Sequence, residues 1–274
     1  MIFTVFGSEY MLKKLKIMLC LIVSVFIVIC ASVMANRDFY SARAVCLYNA
    51  TDDRVVYAYN ENAKMAPASI TKILTAITAL ENEKPYRTVI VSEKSAGTEG
   101  SSIYLKGGEK LRLMQLIYGL MLNSGNDAAN AIADYFGNEK FVRMMNDTAK
   151  KAGATMSHFE NPSGLDGETH LVTAVDMAKI TDYALGNKDF KKVVSTKEAL
   201  IINNDGKKRH LKNHNKLLWY SDKYIGVKTG FTKKAGRTLV SAVEHEGKTY
   251  ILVTLKAPDD WNDHKKIYET YIFK

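Results

Sequence analysis

Cysteine is scarce in the 274-residue chain: there are 3, at Cys20, Cys30 and Cys46. Two of them fall in an apolar N-terminal segment, so the rest of the chain has one thiol and no disulfide framework. Cys46 lies between Val45 and Leu47 in a strand-like run, which predicts a small core residue and not a reactive thiol. Neither Cys20 nor Cys30 follows the small residue that a lipoprotein signal carries, so lipidation is not expected. Internal repeats, a long linker and any nucleic-acid-binding motif are also lacking. The basic clusters Lys191-Lys192, Lys207-Lys208-Arg209 and Lys233-Lys234 are short and scattered, as solvated faces are. His210 and His214 lie four apart, but no glutamate stands between them and the segment reads as a loop. No metal and no cofactor are expected.

What is present begins with an export signature. Lys13, Lys14 and Lys16 precede an uncharged, almost wholly apolar run over residues 17–35. The run ends Val33-Met34-Ala35, with small residues at the two positions a signal peptidase reads. Residues 1–35 therefore read as a signal peptide. An uncleaved anchor is the alternative, since the run is long enough to span a bilayer. Met11 is an alternative start, because residues 1–10 add nothing to such a signal. Either way residues 36–274 are expected outside the cytoplasm. Losing residues 1–35 removes three lysines and Glu9, so the net charge falls from +9 to +7. That balance suits an anionic envelope surface.

The remaining residues pattern as strands, then helices, then strands. Residues 44–48 and Arg54–Tyr59 predict a hairpin, with its turn in Asn49-Ala50-Thr51-Asp52-Asp53. From about residue 81 to 200 the pattern is mainly helical: 138–152 is closed by Gly153, and Thr173-Ala174-Val175-Asp176 opens a helix that Gly186 closes. Strands follow around Lys228 and over 238–244 and 250–256, with a tight turn at His245-Glu246-Gly247, before a last helix over about 260–271. Strands from both ends of the chain thus flank a helical insertion. The expected architecture is α+β, one antiparallel sheet of about five strands with the insertion packed beside it.

Chemistry concentrates in three short stretches. In Pro67-Ala68-Ser69-Ile70-Thr71-Lys72, the apolar Ile73, Leu74, Ile77 and Leu80 recur at helical spacing behind the motif. A buried helix is predicted to begin near Ser69, with Lys72 on the same face one turn on. A serine needs a neighbouring base, and lysine serves when burial or a second cation lowers its pKa. Helix-start N–H groups favour an oxyanion there. By itself Ser-x-x-Lys is also compatible with an N-cap serine and a solvated lysine. Ser124-Gly125-Asn126, between the helical runs 113–122 and 127–136, and Lys228-Thr229-Gly230, after the strand-like Tyr224-Ile225-Gly226-Val227, complete an ordered signature of acyl-serine enzymes.

From about Ala44 to its end the chain resembles the serine-type D-alanyl-D-alanine carboxypeptidases, low-molecular-mass penicillin-binding proteins of the S11 peptidase kind. Besides the three motifs, the likeness rests on Glu99-Gly100-Ser101-Ser102-Ile103-Tyr104-Leu105-Lys106, Leu116-Ile117-Tyr118-Gly119-Leu120, Asn161-Pro162-Ser163-Gly164-Leu165-Asp166, Thr173-Ala174-Val175-Asp176-Met177-Ala178 and Gly230-Phe231-Thr232. It implies a serine β-lactamase/DD-peptidase-like fold and a peptidoglycan stem peptide as substrate, with β-lactam antibiotics as inhibitors. Ser69 would be the nucleophile and Lys72 its base, with Lys228 keeping the site electropositive. Ser124 and Asn126 would relay a proton and hold substrate. Thr229 would meet the terminal carboxylate. The backbone N–H groups of Ser69 and Phe231, beside Gly230, would form the oxyanion hole.

Two departures stand out. The family often has arginine where His214 stands, in Asn213-His214-Asn215-Lys216-Leu217-Leu218. A histidine anchor would bind the substrate carboxylate less tightly as pH rises through its pKa. Longer relatives continue into a β-rich domain and a C-terminal membrane anchor. This sequence stops at Lys274, so membrane attachment is expected only through the N-terminal segment. Asp127 reads as a helix-start residue, His158 and His170 as hydrogen-bonding residues of the 161–162 loop, and Trp219 and Tyr220 as packing near the rim. The alternative functions are a class A-like β-lactamase, for which Glu160 or Glu168 would have to activate water, and a penicillin-binding sensor without turnover.

Overall fold

The computed structural model describes residues 14–26 and 40–273. The expected cleavage site at 33–35 and the two alternative starts lie outside the described residues. Contacts divide the chain into two units, residues 1–40 and 41–274. In the first, residues 14–26 are helical. Among the described residues no helix is long and apolar enough to cross a membrane.

In the second unit, strands β1 (Ala44–Asn49), β2 (Arg54–Tyr59), β7 (Tyr224–Thr232), β8 (Gly236–His245) and β9 (Lys248–Leu255) form one antiparallel sheet in the order β2-β1-β9-β8-β7. Two ends of the sequence meet here, because β1 pairs with β9 along its whole length, Ala44 opposite Leu255 and Asn49 opposite Tyr250. The β8–β9 turn has Glu246 at φ 50° and Gly247 at φ 72°, the two left-handed residues that a tight hairpin needs. Alternate residues leave opposite faces. Val240, Ala242, Ile251 and Val253 join the main apolar cluster on one face. On the other, Ser241 meets helix α9 (Asp260–Tyr271), which buries Ile267 and Tyr268. With both faces covered, β1 is buried at every position. Cys46 lies within it, its thiol pushed up to about 12 by burial, an inert core residue as expected.

Between β2 and β7 run α1 (Lys72–Asn82), α2 (Glu93–Ala96), α3 (Leu113–Leu122), α4 (Asn126–Phe136), α5 (Asn138–Lys151), α6 (Ala174–Leu185), α7 (Lys188–Ser195) and the short α8 (Leu217–Tyr220). Every residue of α1 from Lys72 to Ala79 is buried, so this helix is the interior axis of the unit. Truncating Ile73, Leu74 or Ile77 to alanine is expected to destabilise the fold by about 2–5 kcal/mol. Thr173 caps α6 by accepting from the Asp176 N–H at 3.1 Å.

Two small two-stranded antiparallel sheets were not anticipated: β3 (Thr88–Ile90) with β4 (Lys110–Arg112), and β5 (Glu198–Ile202) with β6 (Lys208–Lys212). The second corrects the reading of the His210 segment as a loop. His210 sits in a strand opposite Leu200, exposed, while His214 follows the strand.

Candidate active site

The chain enters the site through a 3-10 turn, Ala68–Thr71, which runs directly into α1. Ser69 is therefore one turn before the α-helix proper, and Lys72 is the first residue of α1. The turn is fixed from outside. Thr238 on β8 donates to the Pro67 carbonyl at 2.9 Å. Gly230 on β7 lies so close that a Cβ there would stand 2.4 Å from the Thr238 hydroxyl and 2.9 Å from the Ser69 nitrogen. Only glycine lets the strand edge approach the serine backbone this closely.

Lys72 is completely buried, and its amine reaches Ser69 Oγ at 2.8 Å. It also meets Asn126 Oδ1 at 2.8 Å and the Ser163 carbonyl. Burial first, then the neighbouring Lys228 cation, push its pKa well below the ordinary lysine value, against the opposing pull of Asp127. Lys228, on edge strand β7, is also buried; its amine donates to the Thr229 carbonyl at 2.9 Å, and burial lowers it to about 7. A buried amine that is neutral part of the time, in contact with a half-buried serine hydroxyl, can accept that hydroxyl's proton.

The second motif forms the facing wall. Ser124 follows α3 in a left-handed conformation, φ 61°, an uncommon backbone for a residue with a Cβ. Asn126 opens α4, and its amide is oriented because Nδ2 donates to the Glu99 carbonyl at 2.7 Å, which turns Oδ1 toward Lys72. Asp127 does more than start the helix. It accepts from the Ser102 hydroxyl at 2.6 Å and from the N–H groups of Ile103 and Leu105 at 3.2 and 3.0 Å, so it clasps the 99–105 loop against the site.

The 161–170 loop closes the site from behind. Asn161 Oδ1 accepts from the N–H groups of Ser163 and Gly164, an Asx turn, while Thr75 of α1 donates to the Pro162 carbonyl at 2.7 Å. Gly164, at φ 84°, packs so tightly on the Ala68 carbonyl that a Cβ would lie 1.9 Å from that oxygen. His170 bonds as expected: Nδ1 faces the Asn161 amide at 3.1 Å and Nε2 the Thr71 hydroxyl at 3.0 Å. Burial lowers its pKa to about 4, so it is a neutral brace. Neither candidate glutamate reaches Lys72. Glu160 is engaged by the Thr169 N–H and hydroxyl, and Glu168 is exposed.

Ser69, Ser124, Thr229, Gly230 and Phe231 line one open groove of about 340 Å³, with Lys72 and Lys228 buried behind. Phe231 is 66% exposed at its edge. His214 reaches the same groove at its rim, and partial burial of its ring and then the Lys228 charge push its pKa below the ordinary imidazole value. Trp219 and Tyr220 are 44% and 59% exposed, not packed in; the tryptophan that lines the groove is Trp261 of α9. Ser101, Arg237 and Asp260 also line it and were not foreseen. The Ser163 carbonyl was missed because a backbone atom has no residue-type signal; the Asn161-Pro162-Ser163-Gly164 turn is the sequence feature that could have located it. A larger pocket of about 550 Å³, between Lys94, Asn130 and Arg143, contains none of the three motifs.

Comparison with known proteins agrees with this geometry. The D-alanyl-D-alanine carboxypeptidase family model, peptidase S11, matches residues 31–259. The D-alanyl-D-alanine carboxypeptidase DacF of Bacillus subtilis is 33% identical over 80% of this chain, and DacB2 of Mycobacterium tuberculosis is 32% identical over 79%. The chain spans 58% of the length of the first relative and 77% of the second. The crystal structure of the Streptomyces K15 DD-transpeptidase superposes with a TM-score of 0.80 at 30% identity, covering 85% of this chain and 98% of that one. With its motifs in order around one groove and the family model matched over most of its length, this chain belongs to the peptidase S11 family of D-alanyl-D-alanine carboxypeptidases.

Proposed function

We propose that the protein removes the terminal D-alanine from peptidoglycan stem peptides through an acyl-enzyme on Ser69. The observation that supports this most is the 2.8 Å contact between Ser69 Oγ and the buried, depressed-pKa amine of Lys72. Ser69 attacks the carbonyl between the two D-alanines while its proton passes to Lys72 Nζ. The backbone N–H groups of Ser69 and Phe231 stabilise the oxyanion. When the C–N bond breaks, the leaving amine takes a proton delivered through Ser124 and Lys72, and D-alanine departs. Water then hydrolyses the ester and restores the hydroxyl. Asn126 positions Lys72 and the substrate backbone, Lys228 holds the site electropositive, and Thr229 meets the substrate near its terminal carboxylate.

A β-lactam presents a strained equivalent of the same amide and acylates Ser69. The β-lactamase alternative is disfavoured because the 161–170 loop turns the Ser163 carbonyl, not a carboxylate, toward Lys72. The substrate lies in the cell wall, so the protein acts outside the cytoplasm. We assign residues 1–35 to export, with membrane attachment, where it occurs, through that segment.

The test is D-alanine release from a stem-peptide mimic ending in D-Ala-D-Ala, beside a Ser69→Ala control. Release that vanishes in the control supports the carboxypeptidase. Labelling of Ser69 by a fluorescent penicillin without release would instead favour a sensor, or transfer to an amine acceptor. The absence of both release and labelling would refute an acyl-serine enzyme.

A further inference from the structure

An antiparallel pair covered on one side puts apolar residues toward the core and polar ones toward water. The small sheet β5–β6 keeps this rule on one face only. On its core face Ile201 and Leu211 join the main apolar cluster, and Arg209 is buried against Glu109. Its outer face holds Glu198, Leu200 and Ile202 on β5, opposite Lys212, His210 and Lys208 on β6. All six are exposed, and two are large and apolar, Leu200 at 49% and Ile202 at 42%. The face continues onto α8 at Lys212, whose amine stands 5.6 Å from the centre of the Trp219 ring. That indole is itself 44% exposed. An indole, two aliphatic side chains and a row of lysines therefore share one surface.

Charge is concentrated in the same stretch. Residues 197–216 hold six cations and two acids, a net of +4 in a chain whose total is +9. Lys208, Lys212 and Lys216 are exposed. The Lys212–Glu198 pair is 3.8 Å long and both side chains are more than half exposed, so Lys212 is readily given to another anion. Whatever covers this face must be anionic and must also accept aliphatic and aromatic side chains. A soluble polyanion satisfies the lysines but leaves Leu200 and Ile202 in water. An apolar protein surface takes the aliphatic pair but leaves the lysines without counter-charge. The interface of an anionic bilayer does both. Lysine amines stand at the phosphate level with their stems along apolar neighbours, while leucine, isoleucine and tryptophan enter the acyl boundary.

We infer that the outer face of β5–β6, together with Trp219, docks the protein on an anionic phospholipid membrane. The inference does not depend on the acyl-enzyme; it rests on the assignment of the protein to the outside of the cytoplasm. It differs from attachment through residues 1–35 because it acts through folded residues and weakens with salt.

The test uses the full chain in a Trp261→Phe background, which leaves Trp219 as its single indole. The protein is mixed with vesicles of phosphatidylcholine, alone or with an equal part of phosphatidylglycerol, both carrying brominated acyl chains, and quenching of Trp219 is followed. Quenching on the anionic vesicles should exceed that on the neutral ones by about threefold, and NaCl at about 0.5 M should remove the difference. Leu200→Ser with Ile202→Ser, and separately Lys208→Gln with Lys212→Gln, should each lower quenching on the anionic vesicles by about threefold. Melting temperatures within about 3 °C of the background check that these variants fold, and the lipid comparison on the unsubstituted face needs no variant. Equal quenching on both lipids, or quenching untouched by both pairs of substitutions, overturns the inference, because the chain is then held by its N-terminal segment alone. Trp219 that stays unquenched on vesicles but is shielded from aqueous acrylamide by a soluble anionic wall polymer overturns it in favour of that polymer.

Discussion

Two regions of the molecule bury ionisable side chains without a bonded counter-ion, and they do so to opposite effect. On the groove side of β7, Lys72 and Lys228 are buried amines lowered by burial, and a half-exposed serine hydroxyl sits against one of them. On the α9 face of the sheet, His264 is fully buried and lowered to about 3. Its Nδ1 meets Ser241 Oγ at 2.7 Å and its Nε2 meets Thr254 Oγ1 at 2.9 Å, with the Tyr268 hydroxyl 3.0 Å from the same serine. All four of these side chains are fully buried. Desolvation therefore shifts pKa values in both places but makes a site only where a reactive atom and a space for substrate adjoin the shifted group. In the closed network every ring nitrogen is satisfied, and the outcome is cohesion.

The contrast can be broken by substitution. The largest effect is expected at Lys72. Lys72→Met should slow Ser69 acylation by a labelled penicillin by roughly 10³-fold, while thermal melting holds or improves because a desolvated amine is gone. A smaller loss, about 10- to 100-fold, is expected for Lys228→Gln. That variant should also move the acid limb of the acylation profile to higher pH, because the Lys228 charge is one cause of the low Lys72 pKa.

On the closed side the readout is stability. The folded His264 pKa, about 3, lies below the unfolded value of 6.5, so the unfolded chain binds the proton first. Its contribution is fully present above about pH 6.5 and is lost as pH falls toward 3, by about 1.4 kcal/mol per pH unit. His264→Gln should flatten that slope in urea titrations between pH 6.5 and 4.5 and leave acylation within about twofold. A slope unchanged from wild type would remove His264 from the explanation. The smallest effect is expected at His214. Its alanine variant should change KM for the stem peptide by less than about threefold at pH 7.5, because burial and the Lys228 charge disfavour the protonated imidazole there.

How much of this was legible in sequence depends on the kind of atom involved. The helical period behind Ser69 and the three motifs located the proposed nucleophile, its proposed base and both walls of the groove, because each role needs a particular side chain. The β8–β9 turn was legible at His245-Glu246-Gly247 for the same reason, since a left-handed position selects glycine. The β6 strand was hidden by its buried member. Lys208–Lys212 alternates exposed and buried positions, but one buried position is Arg209, which pairs with Glu109 at 2.6 Å instead of presenting an apolar side chain. Strands β3 and β4 have three residues each, too few to show a period. Arg237 and Asp260 became neighbours only through sheet register and the return of α9. Asp127 looked like an ordinary first-turn acid, and its bonds to the 102–105 loop are long-range.

In the proposed reaction a buried lysine, lowered far from its ordinary value, activates Ser69. The most direct measurement is the second-order rate of Ser69 acylation by a labelled penicillin from pH 5 to 9.5, in the wild-type chain and in Lys228→Gln. The expected rate rises with pH to a plateau with its midpoint well below the usual lysine range, and the midpoint is displaced upward in the variant. A rate that keeps climbing toward pH 10 in the wild type, or a midpoint indifferent to Lys228, would contradict it.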